Sequence, residues 1–165
     1  GGEADEPRRR HPRLALRRRI QVMAGTGTGT TAQVSARGGC LCGGVRFQVH
    51  GPLRGVIACH CSQCRKTSGH FVAATQALAK DLELTEQATL RWYRSSPEAE
   101  RGFCSRCGGN LFWRPQAPGA QLISIMAGTL DPPTGLHLVQ HIYTADKSDY
   151  YEINDGVPQQ LHWDD

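Results

Sequence analysis

Apolar and polar residues alternate along this chain in short runs, and most runs stop at a glycine or a proline. The run Val45-Arg46-Phe47-Gln48-Val49 is the clearest. A period of two places Val45, Phe47 and Val49 on one face and predicts a half-buried strand. Leu82-Glu83-Leu84-Thr85 and Thr89-Leu90-Arg91-Trp92-Tyr93-Arg94 alternate in the same way. Val56-Ile57-Ala58, Leu111-Phe112-Trp113 and Leu122-Ile123-Ser124-Ile125-Met126 read as strands with little exposure, Phe71-Val72-Ala73-Ala74-Thr75 as a strand or buried segment, and a last strand ends at His141-Ile142-Tyr143. Gly51-Pro52, Ser95-Ser96-Pro97 and Asp131-Pro132-Pro133 interrupt the pattern, because proline lacks an N–H and fixes φ. No segment carries a long helical stripe. The pattern predicts an all-β fold of small antiparallel sheets.

Order is expected to begin near Ser35, giving a folded domain over residues 35–165 behind a tail over residues 1–34. The tail is rich in Arg, Gly, Thr and Pro. Its stretch from Gly25 to Thr31 has the composition of a flexible linker. Met23 is a candidate natural start, which would make residues 1–22 foreign or mis-assigned sequence. Leu14-Ala15-Leu16 is too short for a signal-peptide core and no apolar run suffices to span a bilayer, so a cytoplasmic location without a membrane partner is expected.

Charge sharpens the division. The net charge is +4, and the tail accounts for all of it, with seven arginines against Glu3, Asp5 and Glu6. The other 12 basic and 12 acidic residues cancel. A nucleic-acid partner is therefore not expected for the folded part.

The candidate chemistry lies in seven cysteines, an odd number that rules out complete disulfide pairing within one chain. They occur as C-x-C, C-x-C-x2-C and C-x2-C, and clustered thiols in a chain without secretory features point to metal. In Cys59-His60-Cys61-Ser62-Gln63-Cys64, extended backbone would aim Cys59 and Cys61 one way and His60 the other. A tight turn would bring Cys64 back to the same point. Cys40 and Cys42 are expected on one side of a short extended piece flanked by glycines, and Cys104-Ser105-Arg106-Cys107-Gly108-Gly109 has the form of a zinc-ribbon knuckle. The simplest partition, which spacing alone does not fix, is four plus three. Cys40, Cys42, Cys104 and Cys107 would close a structural zinc site, while Cys59, Cys61 and Cys64 would hold a second zinc with an open position.

An open three-thiolate zinc site suits chemistry on a thiol. A metal-bound thiol is deprotonated near neutral pH and can attack a carbonyl carbon. Arg65 and Lys66 stand beside the motif as candidate anion-attracting groups, and His70 and His141 as candidate acid–base or supporting groups. Two other classes fit the same residues: a non-catalytic zinc module whose basic tail binds nucleic acid or a partner, and a zinc store or redox switch at the open site.

The quoted cysteine motifs, with Ala127-Gly128-Thr129-Leu130-Asp131, His141-Ile142-Tyr143 and Lys147, resemble the glutathione-dependent formaldehyde-activating family, which also includes centromere-protein-V-like chains. The resemblance spans roughly residues 36–160 and matches all seven cysteines in order. It implies an Mss4-like all-β fold and two zinc ions per chain. It assigns Cys40, Cys42, Cys104 and Cys107 to the structural ion and Cys59, Cys61 and Cys64 to the catalytic one. The implied activity is that of a carbon–sulfur lyase joining glutathione, or a similar thiol, to formaldehyde. One departure is Tyr150, three residues after Lys147, where the family often has Trp.

Overall fold

A computed structural model describes residues 34–163, so the arginine-rich tail and the Met23 start lie outside the described residues. The described residues form ten strands, one α-helix and three single turns of 3-10 helix. Strands β1 (Ala36–Gly39), β2 (Arg46–Val49) and β5 (Leu82–Glu86) make a three-stranded antiparallel sheet in the order β1-β2-β5. The larger sheet holds β3 (Val56–Cys59), β4 (Val72–Leu78), β6 (Leu90–Ser96), β7 (Ala99–Cys104), β8 (Asn110–Pro115), β9 (Leu122–Met126) and β10 (Leu138–Ile142). Its order is β10-β3-β4-β9-β8-β7-β6. This is the Mss4-like, β-rich architecture expected from the sequence.

Two features depart from the expected pattern. Pro97 falls in the turn of a hairpin, and the chain re-enters the sheet at once as β7, whose Ala99-Glu100-Arg101-Gly102 lacks an apolar alternation. The last strand, β10, pairs with β3 in parallel, whereas the other strand pairs of this sheet among the described residues are antiparallel. A parallel neighbour requires a crossover rather than a hairpin, and the irregular stretch from Leu130 to His137 supplies it.

The two sheets face each other through Phe47 of β2 and Phe112 of β8, whose rings meet edge-on with centroids 5.2 Å apart. Val45, Val49, Ala77, Leu90, Leu111, Ile123, Ile125 and Leu130 complete this core, and Cys40 and Cys104 are part of it. Strand alternation sends the neighbouring residues to the opposite face of the large sheet. There Val72 and Ala74 of β4, Trp113 of β8 and Met126 of β9 pack around Cys59, Cys61 and Cys64. The two cysteine groups therefore occupy opposite faces of one sheet.

Close packing between the sheets makes Gly38 intolerant of any side chain. A Cβ there would overlap the Thr129 carbonyl oxygen and the Phe47 ring. Gly69 differs: it sits at φ 80° with open space around it, so a side chain would meet only backbone strain. In denaturant titrations Gly69→Ala is expected to cost about 1 kcal/mol, the left-handed penalty for an L-residue. Gly38→Ala is expected to cost clearly more, about 2–3 kcal/mol, because backbone must move.

Candidate metal centres and the site around them

The four-sulfur group is built by two loops of the same design. In the first, the Cys40 N–H donates to the Val45 carbonyl at 3.0 Å, and the Val45 N–H reaches the Cys40 sulfur at 3.3 Å. In the second, the Cys104 N–H donates to the Gly109 carbonyl at 2.9 Å, and the Cys107 N–H reaches the Cys104 sulfur at 3.5 Å. Gly43 and Gly108, at φ 75° and 73°, make the reversals that bulkier residues resist. Cys40 through Val45 is thus a closed turn, not the extended piece its spacing suggested, because Gly43 folds back to donate to the Cys40 carbonyl.

The loops bring four thiols together. The Cys42 sulfur lies 3.6 Å from both Cys40 and Cys104, and all four sulfurs, Cys107 included, lie within 4.8 Å of one another. A tetrahedral zinc with bonds of about 2.3 Å separates its sulfurs by about 3.8 Å, so the cluster has the size such an ion needs. N–H donation to the sulfurs favours the thiolate form that a metal requires.

Thr89 ties the two loops to each other, a role its place in an alternating strand gave no reason to suspect. Its hydroxyl lies 3.1 Å from the Cys104 sulfur, its N–H donates to Gly44 at 3.2 Å, and its carbonyl accepts from Ser105 at 2.8 Å. The hydroxyl holds the Cys104 thiol down to about 5.

The three-sulfur group forms where β3 runs into α1 (Ser62–Ser68). Seven residues are too few for a self-supporting helix, yet this one is held at both ends and along one side. Cys61 caps its N-terminus, accepting from the Cys64 N–H at 3.5 Å, and Gly69 closes its C-terminus in the left-handed conformation. Cys64, buried, anchors the side. The tight turn expected between Cys61 and Cys64 is the first turn of this helix.

The Cys59, Cys61 and Cys64 sulfurs all lie within 4.8 Å of one another, and no fourth Cys, His, Asp or Glu ligand atom joins them among the described residues. Cys59 and Cys61 are half-buried and Cys64 is buried. Crowding makes their protonation collective. Hydrogen bonds from Cys59 and Cys64 hold the Cys61 thiol down to about 2, while those to Cys61 and Cys64, with burial, push Cys59 up. Each cysteine group therefore has the donor type and spacing to hold a metal ion.

His60 faces the other way. Fully buried, it lies 2.5 Å from the Tyr151 hydroxyl through Nδ1 and 2.9 Å from His141 Nδ1 through Nε2. His141 Nε2 in turn lies 2.9 Å from a carboxylate oxygen of Asp155. If the Asp155 carboxylate accepts from His141, one direction of donation runs through the chain and Tyr151 becomes its terminal donor. Burial lowers His60 to about 4, so it stays neutral in this chain. His70 pairs with the Tyr150 hydroxyl at 2.7 Å. Lys147 donates to the backbone carbonyls of Ser148 and Tyr151.

Of the two cations expected beside the trio, Arg65 donates to the Asp146 carbonyl at 3.1 Å and Lys66 is exposed. Arg101 on β7, whose sequence context gives no sign of a role at the site, is only 6% exposed. Its Nη1 lies 3.9 Å from the Cys64 sulfur and its Nη2 donates to the Gln63 side-chain oxygen at 3.2 Å.

Comparison with known families identifies this arrangement. The model of the family described as "glutathione-dependent formaldehyde-activating enzyme" matches residues 35–146, which include all seven cysteines. The chain belongs to this family. It is also similar to a crystal structure of a Rhodobacter sphaeroides protein, at 21% identity and a TM-score of 0.51, over 75% of this chain and 98% of that one. Identity at that level speaks to the fold alone. As a member of the family, the chain carries a glutathione- and formaldehyde-related assignment together with two metal-competent cysteine groups. No described helix is long and apolar enough to cross a membrane.

Thr89→Val keeps the shape of the side chain and removes its hydroxyl. Competition with a zinc chelator is expected to show metal retention at the four-cysteine group weakened about tenfold, the usual effect of losing a group that supports a metal ligand. Retention at the three-cysteine group should not change.

Proposed function

We propose that this protein is a zinc-dependent carbon–sulfur lyase that joins a thiol of the glutathione type to a small aldehyde such as formaldehyde and runs the reverse cleavage. The observation that carries the reading is the incomplete ligand set of Cys59, Cys61 and Cys64, with no fourth ligand atom among the described residues. Family membership adds the thiol and the aldehyde. Two zinc ions per chain are proposed, a structural one on Cys40, Cys42, Cys104 and Cys107 and a catalytic one on Cys59, Cys61 and Cys64.

When bound at the trio, zinc supplies a Lewis-acid position that lowers a thiol's pKa toward neutrality. The chain's own residues do the rest. Cys59, Cys61 and Cys64 fix that position between β3 and α1, with Trp113 and Met126 packed beneath them. Three thiolates outweigh a divalent charge, and the Arg101 guanidinium next to Cys64 offsets the excess. In the forward reaction the S–H bond and the carbonyl π bond break, a carbon–sulfur bond forms, and the carbonyl oxygen takes the proton the thiol gives up. Seven unpaired thiols also fit a reducing compartment, and the cytoplasm is the proposed location.

The reading is tested by following S-(hydroxymethyl)glutathione formation by NMR, with zinc-loaded protein against a protein-free control. The expected result is acceleration by the wild type and none by Cys61→Ser, which should retain one zinc and the fold. Absence of acceleration, or full activity in the variant, would contradict the reading.

A further inference from the structure

His60 stands between two members of the trio, yet it gives them no ligand atom. Its side chain is fully buried, and a buried imidazole is costly unless its nitrogens are paired. Here both are, one to Tyr151 and the other to His141. Its backbone N–H donates to the Ile142 carbonyl at 3.0 Å, and its ring packs on Phe71 with centroids 5.0 Å apart. An apolar side chain would fill the same space without desolvating two nitrogens. What the polar network adds is a single fixed orientation, because a fully satisfied buried network specifies one arrangement.

The far end of this network is itself held in place. Asp155 accepts from the Val157 N–H at 3.0 Å through the oxygen that His141 does not use. The His141 N–H donates to the Pro158 carbonyl at 2.8 Å, and the Gln160 N–H returns to the His141 carbonyl at 2.9 Å. Backbone bonds thus lay the segment after Asp155 along β10. Two further ties run from the segment before it to the trio's helix. Arg65 Nε donates to the Asp146 carbonyl, and His70 pairs with the Tyr150 hydroxyl. Ties at residues 60, 65 and 70 span α1 from its entry to its exit, and all three end on residues 146–151.

We propose that residues 146–155 are a strap that positions the three-cysteine site, with Tyr151, His141 and Asp155 acting through His60 to fix the elbow that presents Cys59 and Cys61. None of the four supplies a ligand atom to the trio, so they are positioning residues. A ring held at both nitrogens cannot rotate freely. Its backbone, joined by peptide bonds to Cys59 and Cys61, cannot shift without carrying both sulfurs. Groups that orient metal ligands from outside commonly tune how tightly the metal is held. Three ligands leave no fourth bond to correct a misplaced sulfur, so the trio depends on the strap in a way that the four-sulfur group does not. The proposal rests on the trio holding a metal, as in the reading above, but not on the reaction.

The test loads ¹¹³Cd in place of zinc into the full chain, since NMR gives a four-sulfur and a three-sulfur site separate signals. Tyr151→Phe is expected to shift the three-sulfur signal and to weaken cadmium retention there about fivefold, the worth of one net hydrogen bond. The four-sulfur signal should stay in place. Asp155→Ala, which cuts the network at its outer end, should act in the same way, and Asp155→Asn, which still offers His141 a partner, should restore the wild-type signal. Should Tyr151→Phe misfold, the two Asp155 variants decide. A three-sulfur signal that ignores the strap variants, moves only together with the four-sulfur signal, or is not restored by Asp155→Asn overturns the proposal. The readings also fail separately. A single cadmium signal in the wild type would sink the second metal site and the strap together; two signals that ignore the variants would sink only the strap. Two signals with the expected response but no turnover would sink the lyase and leave the strap.

Discussion

The constraint on which the rest of the structure depends is the meeting of two loops about sixty residues apart in sequence. Cys40 and Cys42 leave the small sheet, Cys104 and Cys107 leave the large one, and their sulfurs converge to within 4.8 Å. Two of the four thiols are also part of the hydrophobic core between the sheets. A metal ion there would close a long loop in the denatured chain and add a second tie between sheets that already meet through Phe47 and Phe112. Thr89, bonded to both loops, belongs to the same joint.

The other cysteine group inherits its geometry from that framework. With one face of the large sheet covered by the small sheet, the opposite face is left to α1 and the trio. Strand register then sets which side chains border the trio: Trp113 packs beneath it and Arg101 stands alongside. Closure and chemistry are thereby divided between the two faces of one sheet. One group has four sulfurs, two of them buried in the core; the other has three and two half-buried members.

Much of this was legible in the chain, for reasons that particular residues make plain. Strands β2, β5 and β6 alternate, and β8 and β9 are apolar runs, so their period or composition reveals them. Spacing made four plus three the simplest division of the sulfurs, without fixing it, because three thiols are local and the other four come in distant pairs. Helix α1 was hidden, since six polar residues and one cysteine cannot display a helical stripe and its stability comes from the Cys61 cap, the buried Cys64 and Gly69. Arg101 was hidden for a different reason. A charged residue next to Gly102 reads as surface, and only the fold reveals that it is buried against Cys64. The parallel pairing of β10 with β3 depends on a crossover that no local pattern encodes.

We propose that the seven thiols form two metal centres of unequal completeness on opposite faces of one sheet. Zinc stoichiometry of the purified full chain tests it most directly, measured by native mass spectrometry before and after a graded chelator challenge. Two zinc ions per chain are expected, with the ion on Cys59, Cys61 and Cys64 leaving first and Cys61→Ser retaining one. A single ion that persists in Cys61→Ser and is lost when Cys104 is replaced would show that the trio holds no metal and would contradict it.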